Sequence, residues 1–181
     1  MQNLKFTRFY NFAMKTDKID SSLYFQARLI NKVRIGKLNP TKKYIYYNAH
    51  FVELKPDILE DFEAINEIPK IWKDNHFADN IAVLAEAKRN KPQSYQDLRL
   101  FALTSQEDHF EKMDPESVLG IAQICEIGGS QKAQIEYIET KPSIVNHESK
   151  EFKGIGHGMI KSIKQLYNRI VLIPENTKIC L

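Results

Sequence analysis

The sequence predicts a single α/β domain built on a mixed, mostly antiparallel sheet flanked by helices. Three observations carry that expectation. The chain has 181 residues, 43% of them hydrophobic and 27% charged, enough for one buried core and few for two. Its apolar pattern switches between strand and helix periods in the order strand, helix, helix, three strands, helix, strand. The turn residues Gly128-Gly129-Ser130 join two of those strands as an antiparallel hairpin.

The elements follow in order. Residues 1–36 are the least regular, and the alternation of Leu23, Phe25, Ala27 and Leu29 suits a short strand or an irregular packed segment. Asn39-Pro40 marks a turn, and the β-branched and aromatic run after it predicts a strand over 44–54. Pro56-Asp57 opens a helix carrying Ile58, Leu59, Phe62, Ile65 and Ile68. Its early acids Asp57, Glu60, Asp61 and Glu63 suit the positive end of the helix dipole. Pro69 should break it, because it lacks an N–H and crowds the preceding turn. A second helix, from Phe77 through Ile81, Leu84 and Ala85, should end near Arg89, before Lys91-Pro92. Strands are expected at 98–105, 117–128 and 131–140. A polar loop and the glycines of KGIGHG come next, then a helix with Met159, Ile160, Ile163 and Leu166 on one face. A last strand is expected at 169–174. Trp72 and Cys125 read as core residues.

Composition excludes several classes. No apolar run approaches the roughly 18 residues of a membrane-spanning helix. The start, MQNLKFTRFYNF, has neither a continuous apolar stretch nor a small-residue cleavage site. Cys125 and Cys180 could make one bridge, but a chain of this length needs no staple, and a reducing cytoplasm is the expected location. The five histidines show no metal-ligand spacing, and no metal is expected. The formal net charge is only +3, but residues 1–43 hold ten Lys or Arg against Asp17 and Asp20. That imbalance suggests a basic N-terminal extension, 1–43, preceding a domain over 44–181. A nucleic-acid partner is not expected from it, since no aromatic-interleaved basic ribbon is legible.

The informative motif is Lys153-Gly154-Ile155-Gly156-His157-Gly158-Met159. Three glycines at alternate positions before an amphipathic helix leave backbone N–H groups open at a helix N-terminus, where dipole and donors both favour phosphate. A Cβ there would block close approach and forbid positive φ. A Walker loop needs G-x-x-x-x-G-K-[ST], which is absent, and G-x-G-x-x-G fails at Met159.

The motif and its setting resemble the GNAT N-acyltransferase superfamily. Its coenzyme A pyrophosphate motif, Q/R-x-x-G-x-G/A, corresponds to Lys153-x-x-Gly156-x-Gly158, with Lys in place of Gln or Arg. The resemblance covers about residues 44–179. It implies a sheet that splays after strand 131–140, with the pantetheine arm of acetyl-CoA hydrogen-bonded near Ile138, Glu139 and Thr140. The pyrophosphate would lie on the N–H groups of Gly154, Ile155, Gly156, His157, Gly158 and Met159, with Lys153 as a point charge beside it. It implies a GNAT-like cosubstrate, acetyl-CoA, and an amine acceptor.

The general base would be a carboxylate on the hairpin strands. Glu136 matches best, with Glu126 as the other candidate. By strand alternation Glu136, Ile138 and Thr140 should share one face, and Ile135, Tyr137 and Glu139 the other. Relatives continue past the strand equivalent to 169–174 into a helix that often carries a tyrosine to protonate the leaving thiolate. Here Asn176 stands where relatives often have asparagine, and no tyrosine follows. The sheet is therefore expected to be incomplete at the C-terminus, completed by residues 1–43, by a homodimer partner, or in a longer chain. Tyr137 and Tyr167 are the remaining acid candidates. Trp72, Asp74, Asn75 and His76 fall where the family's acceptor groove lies. The function implied is transfer of an acetyl group from acetyl-CoA to a primary amine of an unidentified acceptor. The alternative is a non-catalytic acyl-CoA-binding module docked through its basic N-terminus.

Overall fold

A computed structural model describes residues 21–73, 76–108, 110–128, 132–145, 151–167 and 169–172. The first described element is not a strand but a helix, α1 (Ser21–Arg28). Phe25 and Arg28, three residues apart and so on one helical face, are both buried. The Phe25 ring meets His50 and Phe110 edge-on, with centroids 5.1 and 5.0 Å away. Two anchors at helical spacing outweigh a short alternating pattern.

Strand β1 (Leu29–Leu38) follows and pairs antiparallel with β2 (Tyr44–Leu54), from Leu29↔Val52 to Leu38↔Tyr44. The Asn39-Pro40 turn joins them. Asn39 Oδ1 accepts from the Lys43 N–H at 2.8 Å, and Lys42 takes a φ of 59°. A division at residue 43 therefore falls inside a hairpin, and residues 29–43 belong to the sheet.

Helix α2 (Leu59–Trp72) runs through Pro69 rather than stopping there. Proline costs only the bond its N–H would have given to Ile65. The buried stripe Ile65, Ile68, Trp72 holds the last turn in place, and the Lys73 N–H closes it on the Pro69 carbonyl at 3.2 Å. Helix α3 (His76–Asn90) ends before Pro92, as the sequence predicts.

Strands β3 (Leu98–Thr104), β4 (Val118–Glu126) and β5 (Lys132–Thr140) form an antiparallel meander. After β5 come a short helix, α4 (Pro142–Val145), a two-residue strand, β6 (Phe152–Lys153), helix α5 (Ile155–Leu166) and strand β7 (Arg169–Leu172). The sheet order is β6-β1-β2-β3-β4-β5-β7. Only β5 and β7 are parallel, so the sheet is mixed and mostly antiparallel.

Helices cover both faces. Trp72, Ile65, Ile68 and Ile81 of α2 and α3 pack on Val52, Leu100 and Ile121. On the other face Met159 and Ile163 of α5 pack on Val33, Phe101, Ile124 and Ile135. One irregularity re-aims the site. Gln123 pairs with Tyr137 but Ile124 pairs with Ile135, which leaves Glu136 as a bulged residue. Ala133, Ile135 and Ile138 consequently all lie on the α5 side, while Tyr137 meets Phe77 of α3 on the other. Strict alternation, which put Glu136 with Ile138 and Ile135 with Tyr137, fails at the bulge.

Candidate functional site

The site has two parts, one on each face of the sheet. The first is the N-terminus of α5. Gly154 is its N-cap, with φ +89° and no side-chain cap, a left-handed conformation that glycine adopts without the Cβ penalty. The helix begins at Ile155, so Gly156, His157 and Gly158 lie in its first turn rather than in a preceding loop. The Gly158 N–H already donates to the Gly154 carbonyl at 2.9 Å. The N–H groups of Ile155, Gly156 and His157 precede that first intrahelical bond and point out of the helix end.

The side chains of this segment divide sharply. Ile155, Gly158 and Met159 are buried, and His157 is exposed. A Cβ on Gly158 would sit 2.2 Å from Val33 Cγ1, so this glycine lets α5 close onto β1. Met159 fills the space left by Gly120, whose Cβ position is 2.6 Å from the Met159 Cε. Lys153 is exposed in β6 opposite Gly36. Its Nζ lies 5.6 Å from the Tyr44 ring centroid, on the face of β1 turned away from Val33 and α5.

The second part is the polar patch at the bulge, on the α2/α3 side. Glu136 is half-buried. Its Oε2 accepts from Gln123 Nε2 at 2.6 Å and its Oε1 from Gln134 Nε2 at 3.3 Å. Gln123 is 3% exposed, and its Oε1 is buried without a hydrogen-bond partner among the described residues. The sequence reading missed Gln123, although a lone amide in the apolar run Leu119–Cys125 was a visible signal. Tyr137 closes the patch against Phe77, with ring centroids 3.9 Å apart. Cys125 pairs with Gln134 in the ladder. It is half-buried, not a core residue, and burial and the nearby Glu136 charge push its thiol pKa up.

At the end of β5, Ile138 is a core residue of the α5 side, Glu139 is half-buried, and Thr140 is buried opposite Gly120. The Thr140 hydroxyl is buried with no partner among the described residues.

The other carboxylate candidate is committed elsewhere. Glu126 Oε1 accepts from Arg99 at 2.7 Å and from the Tyr167 hydroxyl at 2.8 Å, and Arg99 also binds Glu53. Burial and the bond to Glu126 push the Tyr167 pKa well up. Burial lowers the pKa of Arg99, but the Glu53 bond and charge outweigh it and raise the value overall. A cavity of about 380 Å³ opens beside this network, lined by Glu53, Asp57, Lys88 and Arg99 among others. Trp72 is buried, as expected of a core residue. Asp74, Asn75, Asn176, Cys180 and the His76 side chain lie outside the described residues. Among those described, no group of His, Cys, Asp and Glu could hold a metal ion, and no helix is long and apolar enough to cross a membrane.

No family model, no curated protein and no solved structure matches this chain. What fold and site define is a mixed α/β domain with a glycine-capped helix N-terminus on one face and a hydrogen-bonded carboxylate on the other.

Proposed function

We propose that this chain is a GNAT-like N-acyltransferase that moves an acetyl group from acetyl-CoA to a primary amine. The observation that carries the reading is the start of α5, where Gly154 takes a φ of +89° and the Ile155, Gly156 and His157 N–H groups precede the first intrahelical bond. On the sheet, Glu136 is the bulged residue of β5, hydrogen-bonded to Gln123 of β4.

The residues present fit a phosphorylated thioester. The Ile155, Gly156 and His157 N–H groups supply donors at the positive end of the α5 dipole. The Arg34 carbonyl is 3.8 Å from the Gly154 Cβ position, whereas the Arg34 and Lys153 side chains lie over Tyr46 and Tyr44 on the face away from α5. Acetyl-CoA supplies an acyl group activated on a thiol leaving group. A backbone N–H in the second half of β5 would polarise its carbonyl, the electrostatic part of acyl transfer. Glu136 would take the proton that the attacking amine must shed, directly or through water. Gln123 and Gln134 hold that carboxylate in place.

Calorimetric titration of the protein with acetyl-CoA and free coenzyme A tests the reading. Micromolar binding is expected, lost in Gly156→Asp, where bulk and negative charge enter the donor cluster. Screening amines for thiol release follows. Binding without turnover on any amine moves the assignment to a non-catalytic acyl-CoA-binding module. No binding to either compound overturns both.

A further inference from the structure

We propose that the exposed corner of the sheet formed by β6, β1 and β2 binds single-stranded nucleic acid. The proposal does not rest on the acyltransferase reading. The sequence shows no aromatic-interleaved basic ribbon as a linear run; strand register assembles one. Arg34 pairs with Asn48, Gly36 with Tyr46 and with Lys153, and Leu38 with Tyr44. Directly opposed residues share a face, so Arg34, Tyr44, Tyr46, Asn48 and Lys153 project together around Gly36.

The contacts bear this out. A Cβ on Gly36 would lie 3.2 Å from both tyrosine rings, so the missing side chain lets both rings lie over the strand. The Arg34 guanidinium is 5.1 Å from the Tyr46 ring centroid. Lys153 Nζ takes the same position over Tyr44 at 5.6 Å. Tyr46 is 47% exposed. Rings bracketed by cations offer a π-face and a phosphate contact within one side-chain length.

Charge and spacing select the occupant. Between Asp20 and Glu53 the chain has no acidic residue. Three of the cations there have carboxylate partners: Arg28 binds Asp61, Lys32 binds Asp108, and Lys37 binds Glu151. Arg34, Lys42, Lys43 and Lys153 have none among the described residues. The partner is therefore an anion. Tyr44 and Tyr46 are two residues apart on one strand, about 7 Å. That is about twice the 3.4 Å rise of a stacked strand, which suits consecutive splayed bases rather than a duplex. A membrane surface fits less well, because the exposed aliphatic Ile45, opposite Lys37, lies on the other face. The chain's own first 20 residues fit poorly too, carrying four cations against two acids.

The test is fluorescence anisotropy of a labelled twelve-residue oligothymidylate titrated with the full chain at low salt. Saturable binding is expected, with a log–log salt slope of about −3 for four neutralised phosphates. Tyr46→Ala should weaken it roughly tenfold, and Tyr46→Phe should retain it. The double change Arg34→Glu with Lys43→Glu should abolish it, whereas Lys164→Glu on α5 should leave it within twofold. Thermal melts of each variant separate lost binding from lost folding. Absent binding, a folded Tyr46→Ala of wild-type affinity, equal affinity for a duplex, or equal loss in Lys164→Glu each overturns the proposal.

Discussion

Removing the Asp61 carboxylate should be among the most damaging single changes in the molecule. Asp61 is 0% exposed and Arg28 is 3% exposed. Asp61 Oδ2 accepts from Arg28 Nε and from the Lys55 N–H, each at 2.9 Å. Asp61→Ala leaves a buried guanidinium without its carboxylate, which costs roughly 3–5 kcal/mol. Losing the acceptor of Lys55 acts in the same direction. At about 2–4 °C per kcal/mol for a chain of this size, the melting temperature should fall by about 6–20 °C. Trp72, the chain's single tryptophan, lies buried on the same helix as Asp61 and reports urea unfolding. Arg28→Met alone should also be costly, since it removes the positive charge facing a buried carboxylate. Arg28→Met with Asp61→Leu should recover much of the loss, because an apolar pair of similar volume carries no desolvation penalty. The double-mutant cycle should return a coupling of about 2 kcal/mol or more. An Asp61→Ala protein within about 1 kcal/mol of wild type, or a coupling near zero, would refute the pairing and with it the docking of α1.

Glu136→Gln should slow turnover while leaving coenzyme A affinity nearly intact, and equal rates at neutral and high pH would remove Glu136 as the base. Gly158→Ala should destabilise although alanine is the better helix former, because its Cβ would meet Val33 Cγ1 at 2.2 Å; Val33→Ala in the same chain should recover part of the loss in urea titrations. Gly120→Ala should cost less, since it meets the flexible end of Met159. The Tyr47 hydroxyl is pushed up to about 12 by burial and by Glu151, so the folded state keeps a proton that the unfolded chain sheds near pH 10. Its contribution is full below pH 10 and is lost as pH rises from 10 to 12. Alkaline unfolding of Tyr47→Phe should show a shallower decline over that window, and an unchanged slope would discount Tyr47.

Where one side-chain period persisted for two turns or five strand residues, the element was legible. That holds for β2, α3, β3, β4, β5 and α5. The failures have local physical causes. Helix α1 has eight residues, too few for periodicity to separate helix from strand, and its decisive contact is with Asp61, 33 positions away. Pro69 was read as a stop because propensity is local, whereas Ile65, Ile68 and Trp72 hold the turn from outside it. The bulge at Glu136 belongs to the pairing of two strands and leaves no mark in either alone, so the faces after it were misread. The glycine motif reads as a loop before the helix, whereas the helix starts at Ile155, and phosphate binding is not the only reason for its glycines. At Gly158 a helix–strand contact already accounts for the glycine.

That last point bears on how a helix end becomes a binding site at all. Free N–H groups at a helix start are common and by themselves select nothing. They become useful when the helix cannot tilt, because fixed donors need no reorganisation to meet a developing or arriving charge. In α5 two glycine contacts supply the constraint. Gly158 brings the helix onto Val33 of β1, and Gly120 of β4 admits Met159 from the other side. The first turn is thus clamped between strands that lie three places apart in the sheet. Ser162, one turn on, donates its hydroxyl to the Gly158 carbonyl at 2.9 Å within the buried core. The N–H groups of Ile155, Gly156 and His157 are left pointing out of a helix end fixed in this way. On this argument Gly158 serves a ligand through the direction it gives its neighbours' N–H groups. Enlarging it should shift affinity and stability together, whereas Gly156→Asp should lower affinity in a protein of nearly native stability.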